Sequence, residues 1–201
     1  MKKFLLALLV LLVFVTGCSS NNQSNNDESS GNTNESQDAT NDQRTTEDSN
    51  ILIAYFSKTG NTEAIAQEIQ SLTNGTLVEI ETVEPYPDSY SETVDIAESE
   101  KEANARPEIS TTVDNMDQYD TIFIGYPIWW HDAPMAVYTF LENYDLEGKT
   151  VIPFCTSGGS DIEESIPGIE AAISGATMLE GLTANDSSDI QPWLEEIGIL
   201  K

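Results

Sequence analysis

Ser57, Thr59 and Thr62 stand around Gly60 in the stretch Ser57-Lys58-Thr59-Gly60-Asn61-Thr62. The apolar run Ile51 to Phe56 precedes it, and Ile65, Ile69 and Leu72 follow at helical spacing. A polar bend at a helix start presents hydroxyls and unpaired N–H groups, and the helix dipole adds partial positive charge there. Such a bend suits an anion, a phosphate above all, without needing a cation. Lys58 is present but not required, and the bend contains neither an acid nor a cysteine. A dinucleotide fingerprint needs three spaced glycines and a Walker loop needs Gly-Lys-Ser/Thr, whereas Gly60 stands alone. A mononucleotide phosphate therefore fits better than a dinucleotide or a triphosphate. An ordinary polar strand-to-helix turn would show the same residues.

Two further loops narrow the ligand. Pro127-Ile128-Trp129-Trp130-His131 puts two indoles where a strand ends, and exposed aromatic pairs are costly unless they cover something flat. Thr156-Ser157-Gly158-Gly159-Ser160 has glycines that let backbone approach a ligand closely and leave N–H groups free to donate. A phosphate cradle, an aromatic wall and a glycine-rich donor loop together describe FMN. His131, the single histidine, could supply a proton beside such a ligand, or it is simply solvated. One histidine without a cysteine partner argues against a metal site. Cys155 closes a buried strand and reads as an inert core thiol rather than a redox group. Arg106 either pairs with a carboxylate or gates the ligand.

These loops need strands and helices to hold them. Ile51 to Phe56, Leu77 to Val83, Thr121 to Tyr126, Val151 to Cys155 and Thr177 to Thr183 read as five strands, with Pro153 weakening the fourth. Helical patterns cover 65–72, 133–144 and 188–200. Ile162, Ile166, Ile169 and Ile173 line another helical face, which opens with capping-box spacing at Ser160 and Glu163 and should kink or break at Pro167-Gly168. Alternating strands and helices imply an α/β fold with an open parallel sheet covered on both faces. Ligands in such sheets settle beyond the strand C-termini. The loops after the first, third and fourth strands are the three just described. Residues 84–118 form a long connection, in which Glu98, Glu100 and Glu102 read as a solvated helical face.

Residues 51–201 resemble a flavodoxin. Ser57-x-Thr59-Gly60-x-Thr62 matches that family's phosphate loop, and GYPIWW, PFCTSGGS and NARPEI resemble its lipoprotein and stand-alone branch. The resemblance implies a doubly wound five-stranded sheet of order 2-1-3-4-5 with FMN as cofactor. It further implies Trp129 or Trp130 stacked on the isoalloxazine and residues 156–160 at the pyrimidine end. The departure is His131-Asp132, where a small residue, often Gly, is expected.

Met1 to Val15 reads as a secretory signal, with a basic start and 12 apolar residues from Phe4 to Val15. At roughly 1.5 Å per residue this run is about 18 Å of helix, short of a bilayer. Val15-Thr16-Gly17-Cys18 resembles a bacterial lipobox, which implies cleavage after residue 17, acylation of Cys18 and a membrane tether. Ser19 to Asn50 has Ala39 as its only apolar side chain and cannot bury a core. As a coil it would span about 30 Å.

Residues 51–201 carry five basic against 28 acidic side chains, a net of −23. That charge repels nucleic acid and would steer the domain to basic docking sites on a redox partner or membrane reductase. The expected function is membrane-tethered, extracytoplasmic electron transfer through FMN. One rival is NAD(P)H-dependent quinone or flavin reduction, with 84–118 as a substrate lid. Another is an FMN-free binding lipoprotein.

Overall fold

The computed structural model describes residues 50–201. The signal and tether assigned to 1–17 and 18–50 lie outside those residues, Asn50 excepted. No helix among the described residues is long and apolar enough to cross a membrane.

Five helices alternate with a parallel sheet. The strands are β1 (Ile51–Tyr55), β2 (Thr76–Glu79), β3 (Thr121–Pro127), β4 (Thr150–Thr156), β5 (Thr177–Met178) and β6 (Leu182–Thr183). The helices are α1 (Asn61–Thr73), α2 (Tyr90–Glu102), α3 (Met135–Glu142), α4 (Ile166–Ala172) and α5 (Ile190–Glu196). The strand order is β2-β1-β3-β4-β5, with β6 also on β4, and every pairing is parallel. This is the flavodoxin-like order expected from the sequence.

The central strands are apolar throughout because they are covered twice. Leu52, Ala54, Ile122, Ile124, Val151 and Cys155 point into one core with α3 and Ile169 of α4. Ile53, Tyr55, Phe123, Ile152 and Phe154 point into the other with α1 and α5. Successive strand residues face opposite sides, so a run without polar breaks feeds both layers.

Four expectations need correction. The fifth strand is not continuous from 177 to 183 but divides into β5 and β6. The carbonyls of Val151 and Cys155 accept from Leu179 N at 3.1 Å and Ala184 N at 2.7 Å. Odd-numbered residues of β4 therefore face the outer strand, and Pro153 among them has no N–H to give. Gly181 passes so near that an added Cβ would meet Pro153 at 2.9 Å.

The second strand ends at Glu79. Thr82 leaves the sheet and bridges Ile109 in antiparallel sense, with Val83 N donating to Glu108 O at 2.9 Å.

The pattern from Ile162 to Ile173 breaks at Ser165 into a single 3₁₀ turn, Ile162–Glu164, and α4. Pro167 sits in the first turn of α4, where its missing N–H costs nothing. No capping box forms at Ser160. The hydroxyl of Ser157 accepts instead, from Gly159 N at 3.1 Å and Ser160 N at 2.8 Å.

The 84–118 connection contains α2, and Glu100 on it is half-buried rather than part of a freely solvated face. Its carboxylate accepts from Tyr86 Oη at 2.6 Å. Burial raises the Glu100 carboxyl, and burial together with this carboxylate drives the Tyr86 phenol well above its ordinary range, so the phenol stays a donor.

Candidate functional site

A cavity of about 1100 Å³ opens beyond the C-terminal ends of β1, β3 and β4. Ser57, Lys58, Thr59, Asn61 and Thr62 line it from the first loop, Pro127 through His131 from the second, and Thr156, Ser157, Gly158 and Ser160 from the third. Gly60 and Gly159 do not line it. Two further walls complete it, neither assigned to the FMN site from the sequence, although the reductase alternative makes 84–118 a lid. One is α2 and its approach, through Asp88, Tyr90, Thr93, Val94 and Ala97, and the other is Ala184, Asn185 and Ser187 after β6. The length of the 84–118 connection was the only sequence signal for the first.

The first loop turns through Gly60 at φ 82°, a left-handed conformation suited to glycine. Among the described residues the N–H groups of Lys58 through Thr62 find no acceptor, while Glu63 N reaches Ser57 Oγ at 3.3 Å. Unpaired donors at the start of a 13-residue helix are what an anion needs. Lys58 does not point to them. Its Nζ donates to Tyr86 O at 2.9 Å and lies 3.7 Å from Asp88 Oδ1. Beneath the loop, Thr62 and Thr156 share a hydroxyl hydrogen bond, which uses the proton of one and leaves the other a single O–H to give.

The two indoles are not equally exposed. Trp129 is half-buried, its ring edge-on to Phe56 at 5.3 Å and to Tyr86 at 5.1 Å. Tyr86 comes from the long 84–118 connection, so this shelf is a contact between elements that no local pattern shows. Trp130 is 41% exposed, and its Nε1 donates to Val94 O at 3.1 Å.

Trp129 through Asp132 form a tight hairpin turn: Trp129 N donates to Asp132 O at 2.9 Å and Asp132 N to Trp129 O at 3.0 Å. The central residues Trp130 and His131 have φ 51° and 64°. Two positive φ values mark a type I′ turn, which usually takes Asn-Gly. With Trp and His there the turn stores about 1–3 kcal/mol per residue, a cost surrounding contacts must offset. His131 Nδ1 contacts Glu164 Oε2, and Ser160 Oγ lies 3.4 Å from the same nitrogen. The His131 contact lowers the Glu164 carboxyl. Asp132 Oδ1 accepts from Ala133 N at 2.8 Å and from Tyr138 Oη.

In the third loop only one of the two glycines offers a free donor. Gly159 N is held by Ser157 Oγ, whereas Gly158 N has no acceptor among the described residues. Asn185 brackets Ser157, its Oδ1 accepting from Ser157 N at 2.9 Å and its Nδ2 donating to Ser157 O at 2.7 Å.

Arg106 stands outside the cavity lining. It pairs with both oxygens of Glu142 at 2.7 Å and covers the Tyr138 ring at 5.2 Å. Cys155 is buried, and burial raises its thiol to about 11. No three His, Cys, Asp or Glu side chains among the described residues gather as a metal site would require.

A cavity at the carboxyl rim of a 2-1-3-4-5 sheet, with unpaired N–H groups at one end and indoles at another, is shaped for a phosphorylated planar molecule. The flavodoxin family model matches residues 50–197. The chain belongs to the flavodoxin family. Solved structures of similar chains extend the family match. A protein described as a flavoprotein from Bacteroides eggerthii DSM 20697 is 37% identical with TM-score 0.68, the match covering 75% of this chain and 98% of that one. Another from Bacteroides uniformis ATCC 8492 is 32% identical with TM-score 0.67, covering 72% and 97%. A Lactobacillus acidophilus NCFM flavoprotein in complex with FMN is 28% identical with TM-score 0.60, covering 71% and 97%. No curated protein matches this flavodoxin-family chain.

Proposed function

We propose that this chain is an FMN-binding electron-transfer flavoprotein, held outside the cytoplasm by a lipid on Cys18. The observation that carries the FMN reading is the row of unpaired N–H groups from Lys58 to Thr62 opening into the cavity that Trp129 and Trp130 also line. Those donors suit the FMN phosphate, and the half-buried face of Trp129 and the exposed indole of Trp130 suit the ring. Asn185 holds the Ser157 peptide so that Gly158 N is turned out to donate. The flavin, when bound, supplies the one- or two-electron chemistry. His131 stands at the rim on a fixed turn, and Glu164 orients its ring through Nδ1, leaving Nε2 to exchange a proton with a ligand or solvent.

The net charge of −23 on 51–201 opposes added negative charge on a ligand and should lower its reduction potential. Screening confines that effect to charges within about 8 Å at physiological salt. The same charge favours a redox partner with a basic surface. The tether is supported by the sequence of residues 1–18 alone.

The test is titration of the purified full chain with FMN. Quenched flavin fluorescence with one-to-one saturation is the expected result, and unquenched FMN would end both redox readings. A second reading, NAD(P)H-dependent reduction of a quinone or flavin, draws on α2 walling the cavity, with Tyr90 85% exposed beside it. Bleaching of the loaded protein by NADPH without a reductase would favour it over a carrier.

A further inference from the structure

Lys101 lies in the last turn of α2, outside the three loops that the sequence singles out. Its Nζ donates to the carbonyl of Trp130 and stands 3.9 Å from Asp132 Oδ2. The hairpin's own reciprocal pair uses the carbonyls of Trp129 and Asp132, so the Trp130 carbonyl, at the centre of the turn, would otherwise face solvent.

That carbonyl decides the shape of the turn. Rotating the peptide between the two central residues converts a type I′ turn into type II′, in which only the first of them keeps positive φ. For Trp130-His131 the rotation would release His131 from φ 64° into an ordinary conformation. It would, however, leave Trp130 at positive φ in the first position of a type II′ turn, which takes glycine, so both forms are strained with these residues. The reciprocal hydrogen bonds of Trp129 and Asp132, common to both, do not choose between them. Rotation swings the Trp130 carbonyl away from Lys101 and ends a charge-assisted hydrogen bond.

Four further contacts hold the assembly. Trp130 Nε1 donates to Val94 O, also on α2, so helix and turn are joined twice. Asp132, the other group beside the ammonium, is fixed by Ala133 N and Tyr138 Oη. The Tyr138 ring is in turn covered by Arg106.

We propose that Lys101 is a positioning residue for the cavity, holding the Trp130-His131 peptide in its doubly left-handed conformation and so setting where the Trp130 indole and the His131 ring stand. Its effect on ligand binding rests on the FMN reading, but its effect on the turn does not.

The experiment compares the full chain with Lys101→Met and Lys101→Arg by following the indole N–H signals of its three tryptophans in NMR spectra, Trp130→Phe assigning one of them. Trp193 serves as an internal control, because its Nε1 donates to Glu180 O at 3.1 Å and its ring packs in the opposite core. In Lys101→Met the Trp130 signal should shift and exchange faster with solvent while that of Trp193 stays. FMN affinity should fall about tenfold, as loss of a hydrogen bond to a charged group implies. Lys101→Arg should restore most of both. An unmoved Trp130 signal in Lys101→Met would overturn the proposal. So would equal shifts of Trp130 and Trp193, which would mean general loosening. Failure of the unaltered chain to bind FMN would end the cofactor reading yet leave the indole comparison decisive for Lys101.

Discussion

Thr62 and Thr156 lie 94 positions apart in the chain, and their hydroxyl oxygens are 2.9 Å apart in the fold. Both residues are buried, at 1% and 8% exposure. Thr62 belongs to the first turn of α1 and Thr156 ends β4, so this bond clamps the phosphate-type loop to the glycine-bearing loop under the cavity floor. Replacing one partner leaves the other hydroxyl buried and unpaired. Thr62→Val should cost about 1–3 kcal/mol in urea denaturation. Thr62→Val combined with Thr156→Val should cost clearly less than the sum of the two single changes, and strict additivity would show that the bond carries no coupling.

Gly168 and Tyr138 give a steric prediction. A Cβ on Gly168 would sit 2.2 Å from Tyr138 Oη, which is already committed to Asp132. Gly168→Ala should destabilise by about 1–3 kcal/mol, as overpacking does. Gly158→Ala, where a Cβ meets nothing within 4 Å, should stay within about 0.5 kcal/mol. Thermal melts of the two variants make the comparison.

Cys155 should be silent to thiol reagents in the native protein. Burial lifts its thiol from the ordinary value near 9 to about 11, so little thiolate exists at pH 8. Labelling with a chromogenic disulfide should follow unfolding, and prompt labelling at native pH would contradict the burial. The raised pKa fixes the sign of the linkage. Its stability contribution is complete below pH 9 and declines as pH rises toward 11.

Arg106 and Glu142 give the opposite pH dependence. The guanidinium hydrogen-bonds the Glu142 carboxylate and holds its pKa below the ordinary 4.5. This contribution is present above pH 4.5 and is lost as pH falls through the lowered value. Both side chains are partly exposed, so Glu142→Gln should cost only about 0.2–1 kcal/mol at pH 7. The difference from the unaltered chain should vanish in acid, which denaturation at pH 7 and pH 3 would reveal.

Cys18→Ser tests the tether. The variant should lose incorporated fatty acid and leave the membrane fraction, with FMN affinity unchanged. Persistence of labelled lipid on the variant would rule out Cys18 as the anchor.

The fold was legible in the sequence where local pattern suffices. Strands covered on both faces leave uninterrupted apolar runs, so Ile51–Tyr55 and Thr121–Pro127 could be read almost to the residue. Their order follows from the family that SKTGNT and GYPIWW identify, and the three loops at the strand ends are the ones that meet in the cavity. The split of the outer strand opposite Pro153 was not legible, because it depends on which neighbour that residue's missing N–H would have faced. Neither was the fixing of the rim. Lys101 reaching Trp130 across 29 positions, Tyr86 forming a shelf for Trp129, and Asn185 gripping Ser157 are contacts between elements, invisible to any periodicity. Sequence by itself thus determined which segments extend or coil and which loops could hold a phosphorylated ring. Only tertiary structure decided the shape of the cavity, because packing, not local propensity, chose the partner for each polar group at its rim.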